Sequence, residues 1–178
     1  MNKNNKTTII RSIRHLIYII ILIVIDQLSK QWVTINLKNQ EAIKLIPDVL
    51  HLHYIENDGA VFGSFAGSVS ILTVITSIVM IGLICFYFKI PPTKRYDFLR
   101  IILVFILAGA VGNLIDRISL AYVVDFIYFA LINFPTFNIA DSYVVVAAFA
   151  FLLLAIFYYK DEDFAFLDKS QEDEDTDE

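Results

Sequence analysis

The chain has 178 residues, of which 57% are hydrophobic, and a formal net charge of −5. Its mean hydropathy of +0.65 is far above that of a soluble domain, so composition predicts a one-domain integral membrane protein. The acidic residues are concentrated at the end of the chain, so the average charge misleads; we predict no nucleic-acid partner. The single cysteine, Cys85, excludes disulfides and cysteine metal sites, and its apolar surroundings predict a buried packing thiol. No zinc, nucleotide or serine-hydrolase motif occurs, so we predict no metal and no cofactor.

The first element is an apolar run that follows a basic start. No small-residue cleavage site follows this run, so we predict a retained transmembrane helix from about His15 to Ile35 rather than a secretory signal peptide. Such a helix rises roughly 30 Å, which is enough to cross a bilayer. Asp26 and Lys30 lie four residues apart on one face of its outer half. We interpret them as a structural pair.

The segment from residue 36 to residue 66 contains a strand signal and a turn signal. Leu50–Ile55 alternates in part and fits a short strand. Asn57-Asp58-Gly59 is a strong turn signal, and an apolar re-entry follows at Ala60-Val61-Phe62. Gly59 permits positive φ or a close backbone approach, and we expect the turn to shape a loop over the site.

Three more apolar runs predict spans two to four, at Val69–Phe88, Leu99–Ile118 and Ile139–Tyr159. The stretch Val123–Phe137 is apolar, but about 15 residues cannot cross ~30 Å as a helix. We therefore predict a short interfacial or shallowly inserted segment there. The fold class is thus an α-helical integral membrane protein with four transmembrane helices, a small extracytoplasmic β-element and this interfacial segment.

Basic residues cluster before the first run and between the second and third runs, which predicts that both termini are cytoplasmic. Asp125 and Asp141 then lie on the outer side. We expect a single membrane-embedded domain over residues 1–160. Residues 161–178 turn hydrophilic and strongly acidic, which predicts a disordered cytoplasmic tail.

Polar residues cluster at the end of the third run and the start of the fourth. Asn113, Asp116 and Arg117 are spaced i, i+3 and i+4, which is also the pattern of a helix-end cluster that ties a bundle together. Asn138 and Asp141 have the spacing of an N-cap and its N3 residue, so a capping box explains them equally well. On spacing alone, both structural readings stay open.

Asp125 has neither explanation. It lies between Val124 and Phe126 in an apolar segment, with no adjacent basic residue and no capping role. A buried carboxylate needs a partner. If that partner is Asp141, two like charges share one proton and titrate as a pair, as in aspartic proteases.

Five short motifs follow one another along the chain: Asp26-Gln27-Leu28-Ser29-Lys30, Asn57-Asp58-Gly59-Ala60-Val61-Phe62-Gly63, Gly112-Asn113-x-x-Asp116-Arg117, Val124-Asp125-Phe126 and Phe137-Asn138-x-Ala140-Asp141. In this order and spacing they closely resemble the lipoprotein signal peptidases (signal peptidase II), which are bacterial intramembrane aspartyl peptidases. The resemblance covers roughly residues 15–160.

The resemblance implies an aspartic endopeptidase that removes signal peptides from bacterial prolipoproteins by cleaving before a diacylglyceryl-modified cysteine. It implies that Asp125 and Asp141 are catalytic. Substrate-binding roles fall on Asn57, Gly59, Asn113, Arg117 and Asn138, and supporting roles fall on Asp26, Lys30, Asp116 and Ala140.

The implied partners are diacylglyceryl-modified prolipoproteins, membrane lipids and globomycin-type inhibitors. The implied location is the bacterial cytoplasmic membrane, with the active site near its outer face. Water would enter from the outer aqueous side while the acyl chains stay in lipid.

Two other classes of function remain possible from the residues alone. A small proton-coupled carrier would use Asp26, Lys30 and Asp116 as a relay, but four spans are few and no internal repeat is found. A membrane adaptor would recruit a cytosolic partner through the acidic tail. Deletion of the tail would abolish an adaptor's function and leave a peptidase's turnover intact.

Overall fold

The computed structural model describes residues 3–59 and 68–167. Within them, four helices are long and apolar enough to cross a membrane, at Thr7–Leu37, Val69–Lys89, Lys94–Leu120 and Ile139–Phe157. This confirms the predicted α-helical membrane class. The expected apolar re-entry at residues 60–62 and the acidic residues 168–178 lie outside the described residues.

The helices are α1 (Lys3–Leu37), α2 (Val69–Lys89), α3 (Asp97–Leu120) and α4 (Ile139–Phe157). Helix α1 begins well before His15, because no glycine or proline interrupts the chain between Lys3 and Leu37. Helix α3 is central: 56% of its most apolar window is buried, against 6% in α1, 6% in α2 and 11% in α4. The other helices present their apolar side chains outward, as lipid requires.

Small residues let α4 approach α3 closely. A Cβ atom at Gly109 would lie 2.5 Å from the backbone oxygen of Ala140 and 2.8 Å from Cγ2 of Val144. Both distances are too short for a methyl group at residue 109, so only glycine fits there. The small residues of α3 therefore bring the start of α4 against the second half of α3.

A three-stranded antiparallel sheet lies at one end of the bundle, in the order β1 (Ile43–Ile46), β2 (Leu50–Asn57) and β3 (Val123–Phe129). The strand predicted at Leu50–Ile55 corresponds to β2. In the β2–β3 pair, Leu50 faces Phe129 and Asn57 faces Val123, with a register shift between Leu52 and Ile55.

The first half of the predicted short segment, Val123–Phe129, forms β3, for which the sequence had indicated no secondary structure. The stretch Val123–Phe129 is rich in β-branched and aromatic residues, which suit a strand. Pairing with β2 satisfies the backbone of this apolar stretch, as a low-dielectric environment demands. The sequence offered no signal for the partner strand, which is about 70 residues away.

The sheet packs on the end of α1. Val33 and Leu37 of α1 form a buried cluster with Val124 and Phe126 of β3. Because side chains alternate along a strand, Asp125 points the other way, into the space between the sheet and α4. This packing decides where the Asp125 carboxylate lies.

The opposite end of the bundle carries the C-terminal segment. Residues Asp161–Phe164 form a 3₁₀ turn, and Asp163 accepts hydrogen bonds from Arg95 at 2.7 and 3.0 Å. The guanidinium also lies over the Tyr158 ring, 4.1 Å from its centroid. The chain thus stays folded for seven residues past the predicted domain end, through residue 167. The division at residue 160 stays a prediction.

Cys85 corrects a smaller expectation. The thiol was predicted to be buried, but Cys85 is exposed on α2. Helix α2 has a single buried residue, Leu72, so most of its surface faces outward. An apolar neighbourhood in a membrane helix therefore does not imply burial inside the protein.

Candidate active site

Asp125 is only 2% exposed, and neutral amides hold it. The Asn57 amide donates to its Oδ2 and the Asn138 amide to its Oδ1, each at 2.7 Å. No ion pair to Asp125 occurs among the described residues. Burial, and then the negative charge of Asp141, raise the pKa of Asp125 to about 7, although the two amides act in the opposite direction.

The return of the chain from β3 brings Asn138 to Asp125. After the 3₁₀ turn Ala130–Ile132, Phe137 pairs with Ile127 through backbone hydrogen bonds of 2.8 and 3.1 Å. This short antiparallel bridge places residue 138 beside residue 125, although thirteen positions separate them.

Asp141 lies in the first turn of α4, inside the predicted capping box. Its Oδ2 accepts the backbone N–H of Asn138 at 3.1 Å, and its own N–H donates to Asn138 Oδ1 at 2.9 Å. Its Oδ1 accepts the Asn113 amide at 2.7 Å. The capping interpretation is therefore confirmed, and the same geometry ties both aspartates to one asparagine, Asn138.

A second set of charges lies behind this pair. We call Asp26, Lys30 and Asp116 the ion cluster; they are 0%, 3% and 3% exposed. The ammonium of Lys30 lies 2.9 Å from Asp26 Oδ2 and 3.0 Å from Asp116 Oδ2. The predicted Asp26–Lys30 pair is thus present. Asp116 of α3 joins this pair, so the ion cluster links α3 to the neighbouring helix α1.

Backbone groups lock the ion cluster to the site. The N–H of Ala140 donates to Asp26 Oδ1 at 3.0 Å, and the N–H of Val124 donates to Asp116 Oδ2 at 3.1 Å. These two residues each precede a site aspartate by one position. The ion cluster thus fixes the backbone of α4 and β3 next to both aspartates.

Gln27 is a site residue that sequence reasoning did not single out. Its amide nitrogen lies 3.0 Å from Asp116 Oδ1, 3.1 Å from the Gly112 carbonyl and 3.2 Å from Asp26 Oδ2. A Cβ at Gly112 would meet Asp26 Oδ2 at 2.6 Å. The sequence did hold a signal for Gln27: it is a polar residue inside a predicted span, and it lies between Asp26 and Lys30.

Arg117 is half-buried and differs from the other cations of this region. Its guanidinium makes no hydrogen bond or ion pair within residues 3–59 and 68–167, although Asp141, Asp125 and Asp116 act on it electrostatically. Gly59 donates its N–H to Asn57 Oδ1 at 3.0 Å, which turns the Asn57 amide toward Asp125. The predicted turn thus orients a site residue.

The structure therefore brings together every residue predicted for the site. Asn57 and Asn138 contact Asp125, Asn113 contacts Asp141, and the ion cluster lies behind them. Arg117 and Gly59 lie at the edge of the group. Among the described residues, no set of three or more His, Cys, Asp or Glu side chains could hold a metal ion.

Comparison with known proteins agrees with this arrangement. A family model described as signal peptidase (SPase) II matches residues 18–157. The chain belongs to the signal peptidase II family. This confirms the predicted resemblance and the enzyme class, an aspartic endopeptidase of the membrane, and it removes the carrier and adaptor alternatives.

Individual relatives give the same result. The lipoprotein signal peptidase of Clostridium novyi (strain NT) is 42% identical over 146 residues, which are 80% of this chain and 95% of that protein. Those of Halothermothrix orenii and Lactococcus lactis are each 40% identical and cover 83% and 79% of this chain, and 97% and 91% of their own length.

Two solved structures share the fold. Both are bacterial membrane enzymes studied by the in meso method, and each is 28% identical to this chain. They superpose with TM-scores of 0.69 and 0.68, over 80% and 83% of this chain and 87% and 94% of theirs. The four-helix bundle with its small sheet is thus a fold found in solved membrane enzymes.

Proposed function

We propose that the peptidase removes signal peptides from prolipoproteins by cleaving before a diacylglyceryl-modified cysteine, with Asp125 and Asp141 as the catalytic pair. The observation that carries this proposal is that Asp125 and Asp141 have different partners from Asp26 and Asp116, which are paired with Lys30. Among the described residues, both carboxylates are bound only by neutral N–H donors, and both use the same residue, Asn138. A buried carboxylate and a half-buried one, both bound to one asparagine, are placed to share a proton, as aspartic-protease chemistry needs.

The two aspartates take different parts in the reaction. Asp125, with its pKa near neutrality, holds the proton and donates it to the scissile carbonyl oxygen. Asp141, at the positive end of α4, accepts a proton from the attacking water. Water oxygen bonds to the carbonyl carbon, and the proton on Asp141 then passes to the leaving nitrogen as the peptide bond breaks. In the same step one hydroxyl of the tetrahedral intermediate returns its proton to Asp125 and becomes the carbonyl of the new carboxyl group, which restores both aspartates.

The substrate-binding roles follow from position. The Arg117 guanidinium donates no hydrogen bond within the described residues, so it is suited to bind a carbonyl or ester oxygen of the substrate. Asn57 and Gly59 shape the loop on the β2 side of Asp125. The side-chain amides of Asn113 and Asn138 already hydrogen-bond to other residues of the site. We therefore expect them to affect substrate cleavage chiefly by aligning the two aspartates.

We further propose that both termini lie in the cytoplasm of a bacterial cell and that the site opens at the outer face of the cytoplasmic membrane. Basic residues near both inner ends support this orientation. A reporter fused after Glu178 should be active only in the cytoplasm. Activity of that reporter outside the cell would contradict the orientation.

The experiment that tests the function is a cleavage assay with purified protein in detergent. A precursor peptide that carries a diacylglyceryl cysteine should be cut before that cysteine. The same peptide without the lipid should be cut poorly, because acyl chains contribute ~0.8 kcal/mol per buried CH₂. Equal turnover of both peptides would exclude lipid recognition, and no turnover of either would exclude the proposed activity.

Inhibition gives an independent check of the same site. A globomycin-type inhibitor should block cleavage of the lipidated precursor and should compete with it. We expect the inhibitor to raise the melting temperature of the wild-type protein, since a ligand that binds only the folded state stabilises it. Inhibition that does not depend on substrate concentration would place the inhibitor elsewhere.

A further inference from the structure

Lys30 has a third partner besides the two carboxylates of the ion cluster. An ammonium group carries three donors. Two of them reach Asp26 and Asp116, and the third donates to Asn113 Oδ1 at 2.8 Å. All three donors of this buried cation are thus used. The last one ends on a neutral amide rather than on a charge.

That amide is the one that touches Asp141. Asn113 Oδ1 accepts from Lys30 and, at 3.0 Å, from Asn138, so its Nδ2 must face the other way. Nδ2 donates to Asp141 Oδ1 at 2.7 Å. Because an ammonium never accepts a hydrogen bond, Lys30 excludes the flipped amide, which would present an oxygen to Asp141.

The other asparagines of the site are oriented by the backbone. Asn138 Oδ1 accepts the N–H of Asp141, and Asn57 Oδ1 accepts the N–H of Gly59. Asn113 has no backbone donor among the hydrogen bonds of the described chain. Its orientation depends on side chains, and the charged donor is the stronger of the two that hold it.

We propose that Lys30 is a positioning residue of the peptidase: through Asn113, its ammonium group keeps an N–H donor directed at Asp141. The two carboxylates of the ion cluster hold the ammonium in place for this task. This inference rests on the proposed catalytic role of Asp141. It assigns Lys30 a part in turnover that a purely structural ion pair would not have.

The test is a double-mutant cycle on the lipidated precursor. We expect Lys30→Met to lower kcat about 100-fold, with KM changed less than about threefold, because misalignment of a reacting group affects the transition state more than binding. In an Asn113→Ala background, Lys30→Met should lower kcat by less than about threefold, because the side chain that connects Lys30 to Asp141 has already been removed.

An undiminished effect of Lys30→Met in the Asn113→Ala background would overturn the proposal. Lys30 would then act through its charge or through the fold alone. Asp116→Asn is the matched control, because it breaks the ion cluster but leaves the Lys30–Asn113 hydrogen bond. Per folded molecule, we expect Asp116→Asn to lower kcat at least tenfold less than Lys30→Met; equal losses would also overturn the proposal.

A charge-balanced background controls for misfolding of the Lys30 variant. If Lys30→Met does not insert or fold, the cycle is run in Asp116→Asn protein, where one buried carboxylate and one cation are removed together. The wild type must cleave the lipidated precursor at the start. A failure there would refute the proposed function, whereas a failure of the cycle in an active enzyme refutes only the role of Lys30.

Discussion

The ion cluster and the proposed catalytic pair contain the same kind of side chain in opposite surroundings. In the ion cluster, Asp26 and Asp116 share a cation, and backbone N–H groups bind their oxygens as well. In the catalytic pair, Asp125 and Asp141 have no ion-pair partner within the described residues. All four carboxylates lie in one region, but only two have their charge compensated.

This difference teaches how a membrane protein separates structural from chemical carboxylates. A buried charge is tolerated when it is paired and fully hydrogen-bonded. The ion cluster meets that condition. Asp125, bound by two neutral amides, does not, and its pKa rises to about 7. A carboxyl group that titrates near the working pH is suited to proton transfer.

The largest expected effect follows from removing the shared proton. We expect Asp125→Asn and Asp141→Asn each to lower kcat by about 10⁴-fold or more, as for residues that act as one catalytic unit. The amide keeps the shape of the side chain, so the protein should remain folded and inserted. Initial rates on the lipidated precursor, with thermal unfolding in detergent, measure both quantities.

Near-normal cleavage by either variant would refute the proposed mechanism. Loss of cleavage only in step with loss of folded protein would leave Asp141 with its capping role alone. The double variant should be no slower than each single variant, because one proton is shared.

The ion cluster should respond the other way, mainly in stability. Asp26→Asn leaves Lys30 with Asp116 as its only carboxylate, and breaking a buried pair costs about 3 kcal/mol. We expect a clear fall in melting temperature and a rate per folded molecule reduced less than about tenfold. A variant as stable as the wild type but as inactive as Asp125→Asn would place Asp26 in the chemistry.

The pH dependence sharpens the comparison further. Asp125 must be protonated to donate, so kcat/KM should fall as the pH rises above about 7. The Asn57 amide favours the ionised form and lowers this pKa. Asn57→Ala should therefore shift the descending limb upward, by roughly 0.5–1 pH unit.

Asn36→Ala is the control for this shift, because within the described part of the chain the Asn36 amide donates only to the Trp32 carbonyl, on the exposed surface of α1. That variant should leave the descending limb in place. A downward shift in the Asn57 variant would mean that Asp125 is not the group that titrates.

The smallest effect is expected at the far end of the bundle. Hydrogen bonds from Arg95 hold the pKa of Asp163 at about 2, below its ordinary value. Such a depressed carboxyl stabilises the fold above about pH 4, and that contribution is lost as the pH falls toward 2. Asp163→Asn should lower the melting temperature slightly at pH 7, match the wild type near pH 2, and leave kcat unchanged. A tenfold loss of kcat would link this end to the site.

The sequence by itself determined the membrane class and the four spans, and it predicted which residues form the candidate site. Apolar runs of about 20 residues report spans because the bilayer sets their length. Polar residues inside such runs are costly, which drew attention to Asp26, Lys30, Asn113 and Asp116, whereas Asp125 was predicted from its apolar neighbours and from the resemblance. The capping box was readable as well, because Asn138 and Asp141 lie within one helical turn.

Only the tertiary structure decided which partner each polar group has. The β2–β3 pairing joins residues 57 and 123, and Lys30 reaches Asp116 and Asn113 from another helix. Local spacing favoured Asp26–Lys30 and placed Asp116 in a helix-end cluster, but it did not show that Asp116 binds Lys30. A hydrogen bond requires donor and acceptor atoms about 3 Å apart. Close packing at Gly109 and Gly112 helps to set such distances, and the contacts there join residues from different helices. The sequence of one segment therefore does not predict them.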